Sequence, residues 1–172
     1  MATNLEFIKS VTPDGSSSSI SITDVFSAEY DVYVVTYNIT TDSGSPKDTH
    51  LRLINSSDAI VTNSNYDYAY PIIHFYTTLT ETRATGQDKI TGMLGATDFP
   101  PEGTAGMFEV FNPFQSSYTF VNSHATQVHN GAESSYKGVA VLKEDTSITG
   151  LNIFLASTNP TNASNISVYG VK

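Results

Sequence analysis

The chain contains no cysteine and no tryptophan, and only 15% of its 172 residues are charged. Without cysteine there are no disulfides, no thiolate zinc sites and no thiol nucleophiles. No run reaches the roughly 18 apolar residues needed for a membrane-spanning helix. The opening residues, Met1-Ala2-Thr3-Asn4-Leu5-Glu6-Phe7, carry neither the basic start nor the apolar stretch of a secretory signal, so synthesis and folding in a cytosol are expected. On that expectation the sequons at Asn38, Asn55, Asn162 and Asn165 read as ordinary polar positions. Cations are scarce as well: 8 Lys and Arg residues stand singly against 17 Asp and Glu, for a net charge of -9. With no basic stripe to neutralise phosphates, DNA and RNA are not expected as direct partners.

What is present points to an all-β fold. Short runs rich in Val, Ile, Thr, Phe and Tyr alternate with clusters of Ser, Asn, Asp, Gly and Pro, the pattern of strands and turns. Ten such runs stand out: 5–11, 19–25, 31–40, 49–54, 72–82, 106–112, 118–125, 136–142, 150–155 and 165–171. The run Tyr30 to Ile39 has bulky residues on both alternating faces and reads as a central strand covered on both sides. In Ser19-Ile20-Ser21-Ile22 and His50-Leu51-Arg52-Leu53 the apolar side chains take every second position, so one face should be wet. Gly95 to Gly106, with Pro100 and Pro101, resists a strand reading and looks like an excursion from the core.

Many short strands without intervening helices leave a sandwich or barrel. About ten strands suit an antiparallel β-sandwich of jelly-roll type, formed by residues 1–172 as a single domain. An immunoglobulin-like sandwich is the alternative, weakened by the missing Cys and Trp. Neither internal repeats nor heptads are present.

The side chains single out no catalytic constellation. His50, His74, His124 and His129 do not form a His-Glu-x-x-His pattern, and the odd interval between His124 and His129 puts them on opposite faces of an uninterrupted strand. No metal or cofactor is therefore expected. There is no Gly-x-Ser-x-Gly elbow, and the carboxylates fall mainly in polar segments, so a non-enzymatic protein is expected. Two aromatic clusters remain. Tyr66, Tyr68 and Tyr70 alternate along one face, either as a strand start against the core or as a surface that stacks on sugars. In Phe108-Glu109-Val110-Phe111-Asn112-Pro113-Phe114, Phe108 and Val110 alternate against Phe111, so at least one aromatic should face away from the core.

The closing segment, Val168-Tyr169-Gly170-Val171-Lys172, resembles the last strand of small structural proteins of tailed bacteriophages, marine and cyanobacterial phages included. The Tyr30-Asp31-Val32-Tyr33 start, Leu51-Arg52-Leu53, Asn65-Tyr66-Asp67-Tyr68 and Gly150-Leu151-Asn152-Ile153-Phe154-Leu155 follow the same order. The resemblance implies a virion protein without catalytic residues, located on the outer surface of the particle after synthesis in the host cytoplasm. A first strand that begins almost at once suits a capsid decoration or cement protein, partnered by the major capsid protein lattice and by copies of itself as a homotrimer. Phe99, Pro100, Pro101, Phe111 and Phe114 are its expected contact residues. The alternative is a tail-fibre or receptor-binding domain that recognises host surface glycans through Tyr66, Tyr68 and Tyr70. No membrane partner is expected.

Overall fold

The structure, a computed structural model, describes residues 4–43, 45–97, 103–129 and 132–172. They form twelve strands and, among the described residues, no helix. The strands are β1 (Leu5–Val11), β2 (Ser19–Ile22), β3 (Val32–Ile39), β4 (Lys47–Asn55), β5 (Tyr66–His74) and β6 (Thr80–Gln87). They continue with β7 (Ile90–Thr97), β8 (Thr104–Phe111), β9 (Ser117–His129), β10 (Ala132–Thr146), β11 (Ile148–Leu155) and β12 (Asn165–Val171).

An eight-stranded sheet runs β1-β12-β3-β8-β9-β10-β5-β6, and a four-stranded sheet runs β2-β11-β4-β7. Every ladder is antiparallel. Setting aside two hairpins, β5–β6 and β9–β10, the remaining strands alternate between the sheets from β1 to β4 and again from β7 to β12, with β4 and β7 side by side in the smaller sheet at the midpoint. They also pair across its two halves: β1 with β12, β2 with β11, β3 with β8 and β4 with β7. That is one long antiparallel ribbon wound into a two-sheet sandwich, the jelly-roll arrangement. The expected fold is thus the observed one.

Alternation builds the core. Tyr33, Val35, Tyr37 and Ile39 of β3 and Phe108 and Val110 of β8 point inward and meet Ile20, Ile22, Leu51, Leu53, Leu151 and Ile153 from the smaller sheet. On the outer side of β3, Val34 is shielded but Asn38 is exposed, so the central strand is covered on both sides only in its first half.

Three sequence expectations change. The run read as 72–82 is two strands: the chain turns between His74 and Thr80, although Thr and Tyr in that turn have high strand propensity. The strand at Ile90–Thr97 escapes a propensity reading because Gly92 and Gly95 interrupt it, with φ of 71° and 83°. It also takes the first part of the expected excursion into the smaller sheet. Finally, His50 on the outer face of β4 is not wet; it lies against the Phe154 ring, centroids 4.9 Å apart.

The inserted hairpins make one sheet twice as wide as the other. The smaller sheet ends at β7, which packs over β9, β10 and β5. Tyr66 at the start of β5 is enclosed against the smaller sheet, whereas the other end of β5, toward His74, lines an open gap beside β7.

Candidate binding surfaces

At this gap a cleft of about 480 Å³ opens between the sheets. Its floor comes from the inward side chains of β5 and β10, namely Tyr70, Ile72, His74, Ser134 and Tyr136, with Gln127 from β9. Asp48 of β4 and Gly92 and Ala96 of β7 form the opposing wall, and Tyr76 stands at the rim, 62% exposed. The volume lies within the range of small-ligand sites.

Polar atoms converge on the cleft. A Cβ placed on Gly92 would fall 2.5 Å from the Tyr70 hydroxyl, so glycine at this left-handed position lets that hydroxyl approach the wall, with Asp48 Oδ1 close by at 3.9 Å. Burial, with added repulsion from Tyr68 and Asp48, pushes the Tyr70 phenol up to about 12. The Tyr136 phenol is also raised, by burial first and then by Tyr70, Asp48 and Tyr76. Both phenols are therefore neutral hydroxyls at physiological pH. Gln127 Oε1 accepts the Ala96 N–H. His74 is held at both ring nitrogens, Nδ1 to Ser134 Oγ at 2.9 Å and Nε2 to Thr80 Oγ1 at 3.2 Å, and Tyr76 packs on it at 5.4 Å.

A second surface lies on the outer face of the eight-stranded sheet. Phe111 of β8 is directly opposite Phe120 of β9, which in turn is opposite Val141 of β10. In the next row Asn122 faces Val139, and Val139 faces Ala69. Phe120 is 52% and Val139 57% exposed, and they border a shallow groove of about 360 Å³ with Ala69, Val141, Asp67 and Arg83. Charges of both signs border the patch, Arg83, Glu109 and Lys137 among them, and Asp67 is paired with Lys143 at 2.8 Å, which together with the Gly86 N–H holds its carboxyl below the usual range.

The residues expected to act are scattered over these surfaces. Phe111 is half-buried within the outer apolar row, and Phe114 is exposed in the turn that follows β8. Phe99, Pro100 and Pro101 lie outside the described residues. Tyr66 is fully enclosed between the sheets, its hydroxyl accepting the Leu53 N–H at 2.9 Å and donating to the Val61 carbonyl at 3.2 Å, so no sugar can stack on it. Tyr68 stacks on Tyr70 with centroids 6.1 Å apart. Of the three tyrosines, Tyr70 lines the cleft. Asp48, Tyr76, Gln127 and Tyr136 were not legible as site residues, because they come from different strands and meet only through the sheet register. The His74 position was legible only as the continuation of the Tyr66, Tyr68, Tyr70 face.

Asp48 is the one carboxylate among the described residues lining the cleft, short of the pair that glycoside hydrolysis uses. Among the described residues no cluster of three or more His, Asp or Glu could hold a metal ion.

No family model matches the sequence, and no match is found among curated proteins. Among solved structures the chain is similar to the crystal structure of the Caenorhabditis elegans galectin LEC-6, with 11% sequence identity and a TM-score of 0.34 over 98% of this chain and 96% of that chain.

Proposed function

We propose that this chain is a structural subunit of a virus particle, a capsid decoration protein that adheres to the assembled head of a tailed phage through the outer face of its eight-stranded sheet. The observation that carries the reading is an apolar patch on the outer face, Phe120 and Val139 exposed and Phe111 and Val141 half-buried beside them. Contiguous exposed apolar surface supports reading this face as the one that adheres.

The occupant is the major capsid protein lattice. Aromatic anchors amid polar residues such as Asn122 and Glu109 suit such a contact. A protein that binds the assembled lattice and not free subunits stabilises the shell by mass action. The net charge of -9 keeps the free subunit soluble until it docks. On this reading the bound form is a homotrimer on the outer surface of the virion.

The test is to mix the purified protein with heads that lack it and image them by cryo-electron microscopy. Added density at symmetry-related sites is expected, with three-fold symmetry of its own. Heads that remain bare with the wild-type protein would overturn the proposal.

A further inference from the structure

We propose that the cleft beside β7 binds one pyranose unit of a neutral glycan, with Tyr76 stacking on the sugar's apolar face and Asp48, Gln127 and the Tyr70 and Tyr136 hydroxyls bonding its hydroxyl groups. The expected glycan site thereby moves from the Tyr66 and Tyr68 positions to residues of five separate strands or turns. It does not rest on attachment through the outer face, which lies on the other side of the sheet.

The chemistry of the lining selects the ligand class. Lys and Arg are absent from the described lining, and the one formal charge is the Asp48 carboxylate, so an anion is repelled. A quaternary ammonium is held by a cage of several free ring faces. Here the ring faces are spent on one another: Tyr70 packs on Tyr136 at 5.8 Å and on Tyr68 at 6.1 Å, and both Tyr70 and Tyr136 are largely buried. What they offer the cleft is their hydroxyl edge. The remaining free ring is that of Tyr76, held at the rim by His74.

One exposed aromatic face beside a carboxylate, an amide and neutral hydroxyls matches a pyranose, which has an apolar face and a fringe of donors and acceptors. The carboxylate accepts two sugar hydroxyls; Gln127, whose Oε1 accepts from the Ala96 N–H, donates one amide hydrogen to Tyr136 and has the second to offer a ligand. The site exists because the two inserted hairpins widen one sheet beyond the other. A plain eight-stranded ribbon would have no such gap.

The experiment uses the intact protein with ¹³C-labelled tyrosine rings, titrated with the methyl glycosides of glucose, galactose, mannose and N-acetylglucosamine, with tetramethylammonium and inorganic phosphate as contrasts. Shifts at Tyr76 and Tyr136 with at least one glycoside are expected, weakened about tenfold or more by Tyr76→Ala. Tyr76 is exposed, so its truncation leaves the fold intact. Asp48→Asn should weaken the same titration. Shifts with tetramethylammonium or phosphate alone, an undiminished response in Tyr76→Ala, or no response to any glycoside would each overturn the assignment. None of these outcomes bears on binding to phage heads.

Discussion

The ring of Tyr30 lies directly on Gly170, where an added Cβ would fall 2.5 Å from the ring's Cδ2. The Tyr30-Asp31-Val32-Tyr33 segment at the start of β3 and the closing Tyr169-Gly170-Val171-Lys172 are thus the two halves of one packing contact. The neighbours of Gly170 have structural partners too: Tyr169 packs edge-on against Phe7 at 5.8 Å, and Lys172 pairs with Glu6. The closing motif fastens the last strand into the sheet. Gly170→Ala should therefore destabilise by about 1–3 kcal/mol through overpacking, read as a lowered midpoint in urea unfolding with an unchanged slope.

Tyr66 ties the sheets together, since it belongs to the larger sheet and its hydroxyl accepts the Leu53 N–H of the smaller one. Burial raises its phenol well above the usual value, so it stays protonated and donates to Val61. Tyr66→Phe removes both bonds and leaves a buried N–H and C=O without that partner. A loss of about 1–3 kcal/mol is expected in denaturant unfolding. The tyrosine titrations of the cleft should be unchanged in this variant.

His50 gives stability a defined pH dependence. It is buried against Phe154, its Nδ1 has no hydrogen-bond partner among the described residues, and burial lowers its pKa from 6.5, an effect opposed by Asp48 and reinforced by Lys89 and Arg52. The folded state thus holds the ring neutral while the unfolded chain takes up a proton near 6.5. Stability is full above that value, falls as the pH drops below it, and levels off below the folded pKa. His50→Phe keeps the ring contact and removes the unpaired nitrogen. It should raise Tm at every pH and flatten the decline that begins as the pH falls through about 6.5, the stabilisation being of order 1 kcal/mol.

The strands were legible where alternation was uninterrupted: Leu5–Val11 and Asn165–Val171 coincide with their sequence reading. β7 was not, because its two left-handed glycines interrupt the pattern, and the β5–β6 turn was not, because Phe75-Tyr76-Thr77-Thr78 carries no turn-forming residue. The outward side of Phe111 follows from period-two alternation with Phe108 and Val110. Phe120 opposite it depends on hairpin register, and the cleft depends on two insertions landing on the same sheet. Local pattern determines which face a residue takes, whereas its neighbours on that face are set by long-range pairing.

Phe108 and Phe120 lie on adjacent strands but on opposite sides of the sheet, and their substitutions should separate stability from adhesion. Phe108 is fully buried, so Phe108→Ala should cost about 3–5 kcal/mol. Phe120 is half exposed on the outer face, and Phe120→Asp should leave unfolding within about 0.5 kcal/mol of wild type. On the proposed function the same Phe120→Asp change, alone or with Val139→Asp, places an unpaired charge in the docked interface and abolishes decoration of heads. A folded Phe120→Asp, Val139→Asp protein that still decorates heads would remove the outer face as the attaching surface. Loss of binding with an unaltered unfolding midpoint would assign the apolar row to adhesion, because no folding defect would remain to account for it.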